Sequence, residues 1–139
     1  MARVDFYVLK DAGPAARAAF ACKLAEKAYR LDNTVHIHVD NDEAMRDIDE
    51  LLWTFRDGSF VPHHCLGQQE LDSPVTIGCS SGAASRQLLI NLSSELPDFA
   101  FDFERVAEVV SADEDSKQAS RDRYSRYRDK GHTLETHKL

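Results

Sequence analysis

The sequence predicts an α/β domain with a mostly parallel sheet and helices on both faces. Short runs rich in β-branched and aromatic residues alternate with longer segments in which apolar residues recur at helical spacing. The longer segments also begin beside Pro, Asp or Asn, which are typical of helix N-termini. Strands that alternate with helices indicate βαβ units, whose crossover helices cover a parallel sheet on both sides.

The individual elements follow from these patterns. The predicted strands are residues 4–9, 34–39, 75–79, 87–92 and 105–110. The first helix is predicted for residues 15–30, after Pro14, and the second to run from a cap at Asp40 or Asn41 to about Trp53. The last helix is predicted to begin after Asp113 or Asp115 and to end near Gly131, because glycine is favoured just beyond a helix end.

Residues 1–139 are interpreted as a single domain. The chain shows no internal repeat, low-complexity tract or Gly/Ser linker, and 139 residues suffice to bury a core without staples. Its three cysteines, Cys22, Cys65 and Cys79, lack CxxC spacing, which argues against a disulfide framework or a thiolate zinc site. With no long apolar run and no signal-peptide pattern at the start, we expect a cytoplasmic protein with reduced thiols and no membrane contact.

Charge is unevenly distributed along the chain. The net charge is −7, with 17 Lys and Arg against 24 Asp and Glu, yet residues 117–139 carry seven basic and three acidic residues. A basic segment on an acidic body favours a small anionic ligand over a long polyanion, which the body would repel. We therefore expect no direct nucleic-acid binding, although binding by the basic segment alone stays open as an alternative.

A nucleotide site is not expected. The segment Leu9-Lys10-Asp11-Ala12-Gly13-Pro14 after the first strand contains neither GxGxxG nor GxxxxGK[ST], so it offers no phosphate-binding loop. The segment Ser80-Ser81-Gly82-Ala83-Ala84-Ser85 could cup an anion, but such a segment is usually only a loop. We predict no cofactor, and the scattered carboxylates single out no acid/base pair.

Histidine and cysteine suggest an alternative from a different functional class. His63 and Cys65 could share one face of an extended segment, as could His36 and His38. A small α/β enzyme with a His63/Cys65 nucleophile or metal site is therefore the runner-up hypothesis. No second ligand pair follows at useful spacing, so partly buried histidines beside an inert thiol explain the pattern better, and we predict neither catalytic residues nor a metal.

The strongest pattern lies in the last predicted helix. Lys117, Arg121, Tyr124 and Arg128 are spaced so that they form one stripe along a helix. Cationic groups around an aromatic ring are suited to holding a carboxylate beside an apolar side chain. The same spacing also fits a solvated basic helix face, and spacing alone does not decide between the two.

The order and spacing of several short motifs resemble the chi subunits of bacterial DNA polymerase III holoenzyme. The motifs are Asp49-Glu50-Leu51-Leu52-Trp53, Ser59-Phe60-Val61-Pro62-His63, Asp115-Ser116-Lys117-Gln118, Arg121-Asp122-Arg123-Tyr124, Tyr127-Arg128 and Gly131, and Phe6-Tyr7-Val8-Leu9 and Leu89-Ile90-Asn91-Leu92 are compatible with them. The resemblance implies a Rossmann-like three-layer fold that has lost nucleotide binding. It also implies a replication adaptor without intrinsic catalytic activity.

The resemblance implies two protein partners. One is the psi subunit, which links chi to the clamp loader and is expected in a 1:1 heterodimer. The other is the acidic C-terminal tail of single-stranded DNA-binding protein, which ends in an apolar residue with a free carboxylate. Carried over by position, the residues implied for tail binding are Lys117, Arg121 and Tyr124 on the helix, Trp53, Phe60 and Val110 in an apolar pocket, and, less firmly, Arg128.

One position departs from the family pattern. A basic residue often follows the helix tyrosine in chi subunits, whereas this chain has Ser125 there, with Arg126 next. One cationic contact is therefore expected to be missing or displaced.

Overall fold

The computed structural model describes residues 2–55, 57–58, 60–66, 73–79 and 87–139. In these segments the chain forms an open seven-stranded sheet, three α-helices and a short 3-10 helix. In chain order the elements are β1 (Arg3–Val8), α1 (Pro14–Arg30), β2 (Val35–His38), α2 (Asp42–Thr54), β3 (His63–Cys65), β4 (Val75–Gly78), β5 (Leu88–Asn91), the 3-10 helix (Asp98–Asp102), β6 (Arg105–Val110), α3 (Glu114–Asp129) and β7 (Thr133–Lys138). Ser59 and the predicted loop at residues 80–85 lie outside the described residues.

The sheet confirms the predicted parallel architecture. Its strand order is β3-β4-β2-β5-β6-β1-β7, and each strand pair in the described segments is parallel. The inner strands β2, β4 and β5 are buried along their whole length, as expected for parallel strands that are covered on both faces. None of the described helices has the length and apolar character needed to cross a bilayer.

Helices cover both faces of the sheet, which gives the predicted three layers. Ala107 and Val109 of β6 pack in a cluster with buried residues of α1 and α2, and this side is called the α1–α2 face. Val106 and Val110 of the same strand pack with Tyr127 of α3, and this side is called the α3 face. The alternation follows from the period of two along a strand.

The helix ends follow the predicted capping residues. The amide of Ala44 donates to the Asn41 side chain at 2.9 Å, so Asn41 caps α2. The amide of Ser116 donates to Asp113 Oδ2 at 3.2 Å, so Asp113 caps α3. Gly131 follows α3 with a φ of +83°, a conformation that glycine adopts without a steric cost.

Three elements were not predicted from sequence. The strand β3 has only three residues, and the 3-10 helix has five. The edge strand β7 holds a single aliphatic residue, Leu134, among polar ones. An edge strand with largely exposed side chains carries little hydrophobic pattern, so sequence periodicity does not reveal it.

Candidate functional site

The rotation of α3 about its axis is fixed by a buried polar network around Glu108. Arg123 Nε donates to Glu108 Oε1 at 2.8 Å, and the Tyr127 hydroxyl donates to Glu108 Oε2 at 2.8 Å. Asn91 Nδ2 also donates to Oε2, at 2.9 Å. Glu108 is 0% exposed, so these bonds replace its hydration and hold the Arg123–Tyr127 side of α3 against the sheet.

Sequence reasoning missed this network. Its signal was an acidic residue, Glu108, in the middle of an apolar strand segment, together with Arg123 and Tyr127 four residues apart on the helix that follows. A carboxylate at a buried strand position needs a charged or hydrogen-bonding partner. From that requirement one could have predicted that Arg123 and Tyr127 lie on the side of α3 that faces the sheet.

The start of α3 is fixed by Asp113. Its carboxylate accepts hydrogen bonds from the Ser111 hydroxyl at 2.5 Å, the Gly13 amide at 3.2 Å and the Ser116 amide at 3.2 Å. These bonds, the one from Ser111 first, lower the pKa of Asp113 from 3.8 to about 2. The ionised carboxylate therefore joins the N-terminal end of α3 to the loop that precedes α1.

With this orientation, the predicted stripe lies along one flank of α3. Tyr124 is half-buried, and its ring centroid lies 5.3 Å from that of Phe6 on β1. Arg121 and Arg128 are exposed, and Lys117 is half-buried. The structure therefore places three cationic side chains along the helix flank on which Tyr124 packs toward the sheet. This group is called the α3 stripe.

In the described part of the structure, the two arginines of the α3 stripe make weak contacts with their neighbours. Arg121 Nη1 donates to Gln118 at 3.3 Å, and Arg128 Nε lies 3.9 Å from an exposed carboxylate oxygen of Asp129. Glu114, in the first turn of α3, precedes Arg121 by seven residues and therefore lies on the same side of the helix. Exposed contacts of this kind hold a side chain weakly, so Arg121 and Arg128 are able to reorient toward an anionic ligand.

Arg126 does not join the stripe. It lies two residues beyond Tyr124, which turns it by about 200° around the helix axis. Ser125 lies about 100° from Tyr124 around the helix axis and is half-buried. Arg126 therefore does not replace the cation that the resemblance leads one to expect directly after Tyr124.

Val110 shares the α3 face with Tyr124. It belongs to the buried cluster against which Tyr124 packs. The structure therefore brings these two predicted residues to the same part of the molecule. Val110 is only 2% exposed, however, so it offers almost no surface to a ligand.

Trp53 and Phe60 form a separate aromatic patch. Their ring centroids are 5.6 Å apart, and the Trp53 ring also lies 4.7 Å from that of His63 on β3. They are 52% and 62% exposed. Trp53 is on α2, which packs against α1, β3 and β4, so the patch lies on the α1–α2 face at the β3 edge.

The structure therefore does not bring Trp53 and Phe60 together with Tyr124 and Val110. The two groups lie on opposite faces of the sheet, because α2 and α3 cover different sides and different halves of it. The single pocket expected from the sequence is divided into two surfaces. That these residues bind the acidic tail stays a prediction.

The His63/Cys65 pair does not have the geometry of a nucleophilic site. The two residues share the α1–α2 face, as expected, but His63 Nδ1 pairs with the Val61 carbonyl at 2.6 Å and Nε2 lies 3.1 Å from Asp49 oxygens. Burial, with a smaller contribution from the Asp49 carboxylate, raises the pKa of the Cys65 thiol to about 11. The thiol thus stays protonated at neutral pH and is a poor nucleophile.

His36 and His38 also share a face, as expected. His36 Nδ1 pairs with Thr76 Oγ1 at 2.8 Å, and both rings pack against Phe99, with centroids 6.0 and 5.0 Å away. Burial lowers the pKa of His38. Both side chains belong to a packed interior on the α3 face.

Comparisons with known proteins agree in pointing to one family. The sequence model of the family described as DNA polymerase III chi subunit, HolC, matches residues 1–135. A DNA polymerase III subunit chi from Pseudomonas aeruginosa is 41% identical over 140 residues, which cover 100% of this chain and 98% of that protein. Proteins of the same name from Haemophilus influenzae and Escherichia coli are each 32% identical, over 135 and 143 residues, covering 95% and 98% of this chain and 94% and 97% of theirs.

Proposed function

Because the chain belongs to the family of DNA polymerase III chi subunits, we propose that this replication accessory protein is an adaptor without catalytic activity of its own. It joins single-stranded DNA-binding protein to the clamp loader through the psi subunit. The observation that carries this proposal is the presence of two separate surfaces of different chemistry on opposite faces of one sheet.

The α3 stripe is the surface that suits the acidic tail of single-stranded DNA-binding protein. Lys117, Arg121 and Arg128 supply cations for the acidic run and for the terminal carboxylate. The half-buried ring of Tyr124 supplies apolar surface beside them. An unstructured tail loses conformational freedom when it binds, so we expect an affinity in the micromolar range, roughly −8 kcal/mol.

The Trp53–Phe60 patch suits the second partner, psi. Exposed aromatic side chains in contact with each other are typical of protein interfaces, where they bury a large apolar area. The patch lies on the face away from the α3 stripe, so a partner bound there leaves the stripe accessible. We therefore assign Trp53 and Phe60 to a 1:1 contact with psi instead of the tail pocket.

Titration with a tail peptide tests the proposal. Arg121→Ala removes an exposed side chain whose only recorded hydrogen bond, in the described structure, is to Gln118, so thermal stability stays nearly unchanged. Loss of a charge-assisted hydrogen bond is expected to weaken tail binding by roughly 1.5–3 kcal/mol. Arg126→Ala is the matched control, because it removes the same charge from the opposite side of α3.

Two modified peptides complete the experiment. Amidation of the terminal carboxylate, or replacement of the last apolar residue by Ala, should each weaken binding at least about tenfold, or about 1.4 kcal/mol. Equal binding of the intact and modified peptides would show that the stripe is a nonspecific basic face. Tighter binding of an oligonucleotide than of the peptide would favour direct nucleic-acid binding.

A further inference from the structure

We propose that the tail-binding surface extends from α3 onto the sheet, where Val8 of β1 forms its apolar floor and Lys138 of β7 adds a cation. This inference rests on the proposed function and assigns further residues to the same site. It depends on β7, the edge strand that the sequence pattern did not reveal.

The register of β7 determines which of its side chains face α3. Val4 of β1 pairs with Leu134, and Val8 pairs with Lys138. Val8 and Leu134 both pack against the buried cluster on the α3 face. Lys138 lies four residues after Leu134 in the same strand, so its side chain leaves the sheet on that face.

The neighbouring residue on β7 confirms this alternation. His137 Nε2 pairs with Asp5 at 2.9 Å, and its ring stacks on Tyr7 with centroids 4.9 Å apart. Tyr7 packs with the cluster on the α1–α2 face. The acidic Glu135 has the same parity as His137, so it also faces away from α3.

Val8 supplies the accessible surface that Val110 lacks. The two valines are paired side by side in the register of β1 and β6. Val110 is almost fully buried, whereas Val8 is only half-buried. An apolar side chain at the end of a peptide can therefore gain contact with Val8, and with the ring of Tyr124, without any opening of the core.

Chain direction places Lys138 beside the first half of α3. The strands β6 and β7 are both parallel to β1, so the helix that connects them runs in the opposite direction. The last residues of β7 consequently lie at the end of the sheet where α3 begins, as do Lys117 and Arg121. A peptide end at Val8 would therefore have cations on both sides, which matches an acidic chain with a free carboxylate.

Charge reversal at Lys138 tests the proposed cation. Lys138→Glu is expected to weaken tail-peptide binding at least tenfold at low salt, with a smaller loss at high salt, because exposed charge interactions are screened. Lys23→Glu, an exposed change of the same size on α1, is the matched control and should alter the affinity less than twofold. Both variants should keep the thermal midpoint of the parent protein.

Methyl NMR locates the bound peptide independently of any mutation. Addition of tail peptide should shift the methyl signals of Val8 and leave those of Ile48 and Leu52, on the α1–α2 face, unchanged. If Arg121→Ala abolishes binding while Lys138→Glu binds normally and the Val8 signals do not move, the extension is wrong and the proposed function stands. If the parent protein does not bind the peptide at all, both proposals fail.

Discussion

The charge of Asp113, the residue that caps α3, links pH to the stability of the protein. Its pKa is lowered to about 2, so the ionised form stabilises the native state fully above about pH 4, and this contribution is lost as the pH falls through about 2. Asp113→Asn keeps an oxygen acceptor for the Ser116 amide but carries no charge. The stability advantage of the parent over Asp113→Asn should therefore be constant near neutral pH and shrink between about pH 4 and pH 2.

Urea unfolding midpoints at pH 7, 5, 4, 3 and 2 measure this difference. Asp122→Asn, which removes an exposed carboxylate from the middle of α3, controls for the change in net charge. A difference that stays the same down to pH 2 would mean that Asp113 is not held ionised by its hydrogen bonds.

The residues of the candidate site differ in how far the sequence could predict them. The α3 stripe is a local property, because residues at i, i+4, i+7 and i+11 of one helix share a flank whatever the helix packs against. Placing Trp53 and Phe60 in the same pocket required knowing which face of the sheet each helix covers. That choice depends on packing between distant segments, and helical spacing contains no information about it.

Among the elements, α3 is held against the sheet by one buried carboxylate, that of Glu108. Glu108→Gln leaves the guanidinium of Arg123, which is 4% exposed, without its counter-charge. Breaking a buried ion pair in this way is expected to destabilise the protein by roughly 3–5 kcal/mol. Replacing Arg123 by Met in the same chain removes the unpaired charge, so the double variant should be less destabilised than the sum of the single ones.

Urea unfolding of the single variants and the double variant measures this coupling. Glu104→Gln, an exposed change just before β6, should alter stability by less than about 0.5 kcal/mol. Additive losses in the double variant would indicate that Glu108 and Arg123 contribute separately and that their pairing does not anchor α3.

Buried strands were easier to predict from the sequence than exposed ones. Strands β2, β4, β5 and β6 were predicted to within a residue or two, because buried strands are rich in β-branched and aliphatic residues, which in β2 alternate with histidines. The edge strand β7 is held by backbone pairing with β1 and by the contact of His137 with Asp5, neither of which leaves an apolar pattern. For that reason the sequence did not predict the strand that carries Lys138 or the place of Lys138 in the proposed site.

At the scale of the whole molecule, the two proposed partner surfaces are separated by the sheet itself. The α3 stripe lies beside β1 and β7, and the Trp53–Phe60 patch lies beyond β4 at the opposite edge and on the opposite face. They share no described residue, and the sheet with its buried core lies between them. We therefore expect tail and psi to bind simultaneously and nearly independently.

Fluorescence anisotropy of a labelled tail peptide should give the same dissociation constant, within about twofold, with and without saturating psi. Arg121→Ala should weaken the binding of the tail and leave that of psi unchanged, and Phe60→Ala should weaken the binding of psi and leave that of the tail unchanged. Trp53 is the only tryptophan, so its emission should change when psi binds and stay constant when the tail binds. Because Trp53 is half-exposed, either partner would alter its emission on contact. A change in Trp53 emission on addition of the tail would mean that Trp53 belongs to the tail-binding site, as expected from the sequence. Competition between tail and psi would mean that the two partners bind overlapping surfaces.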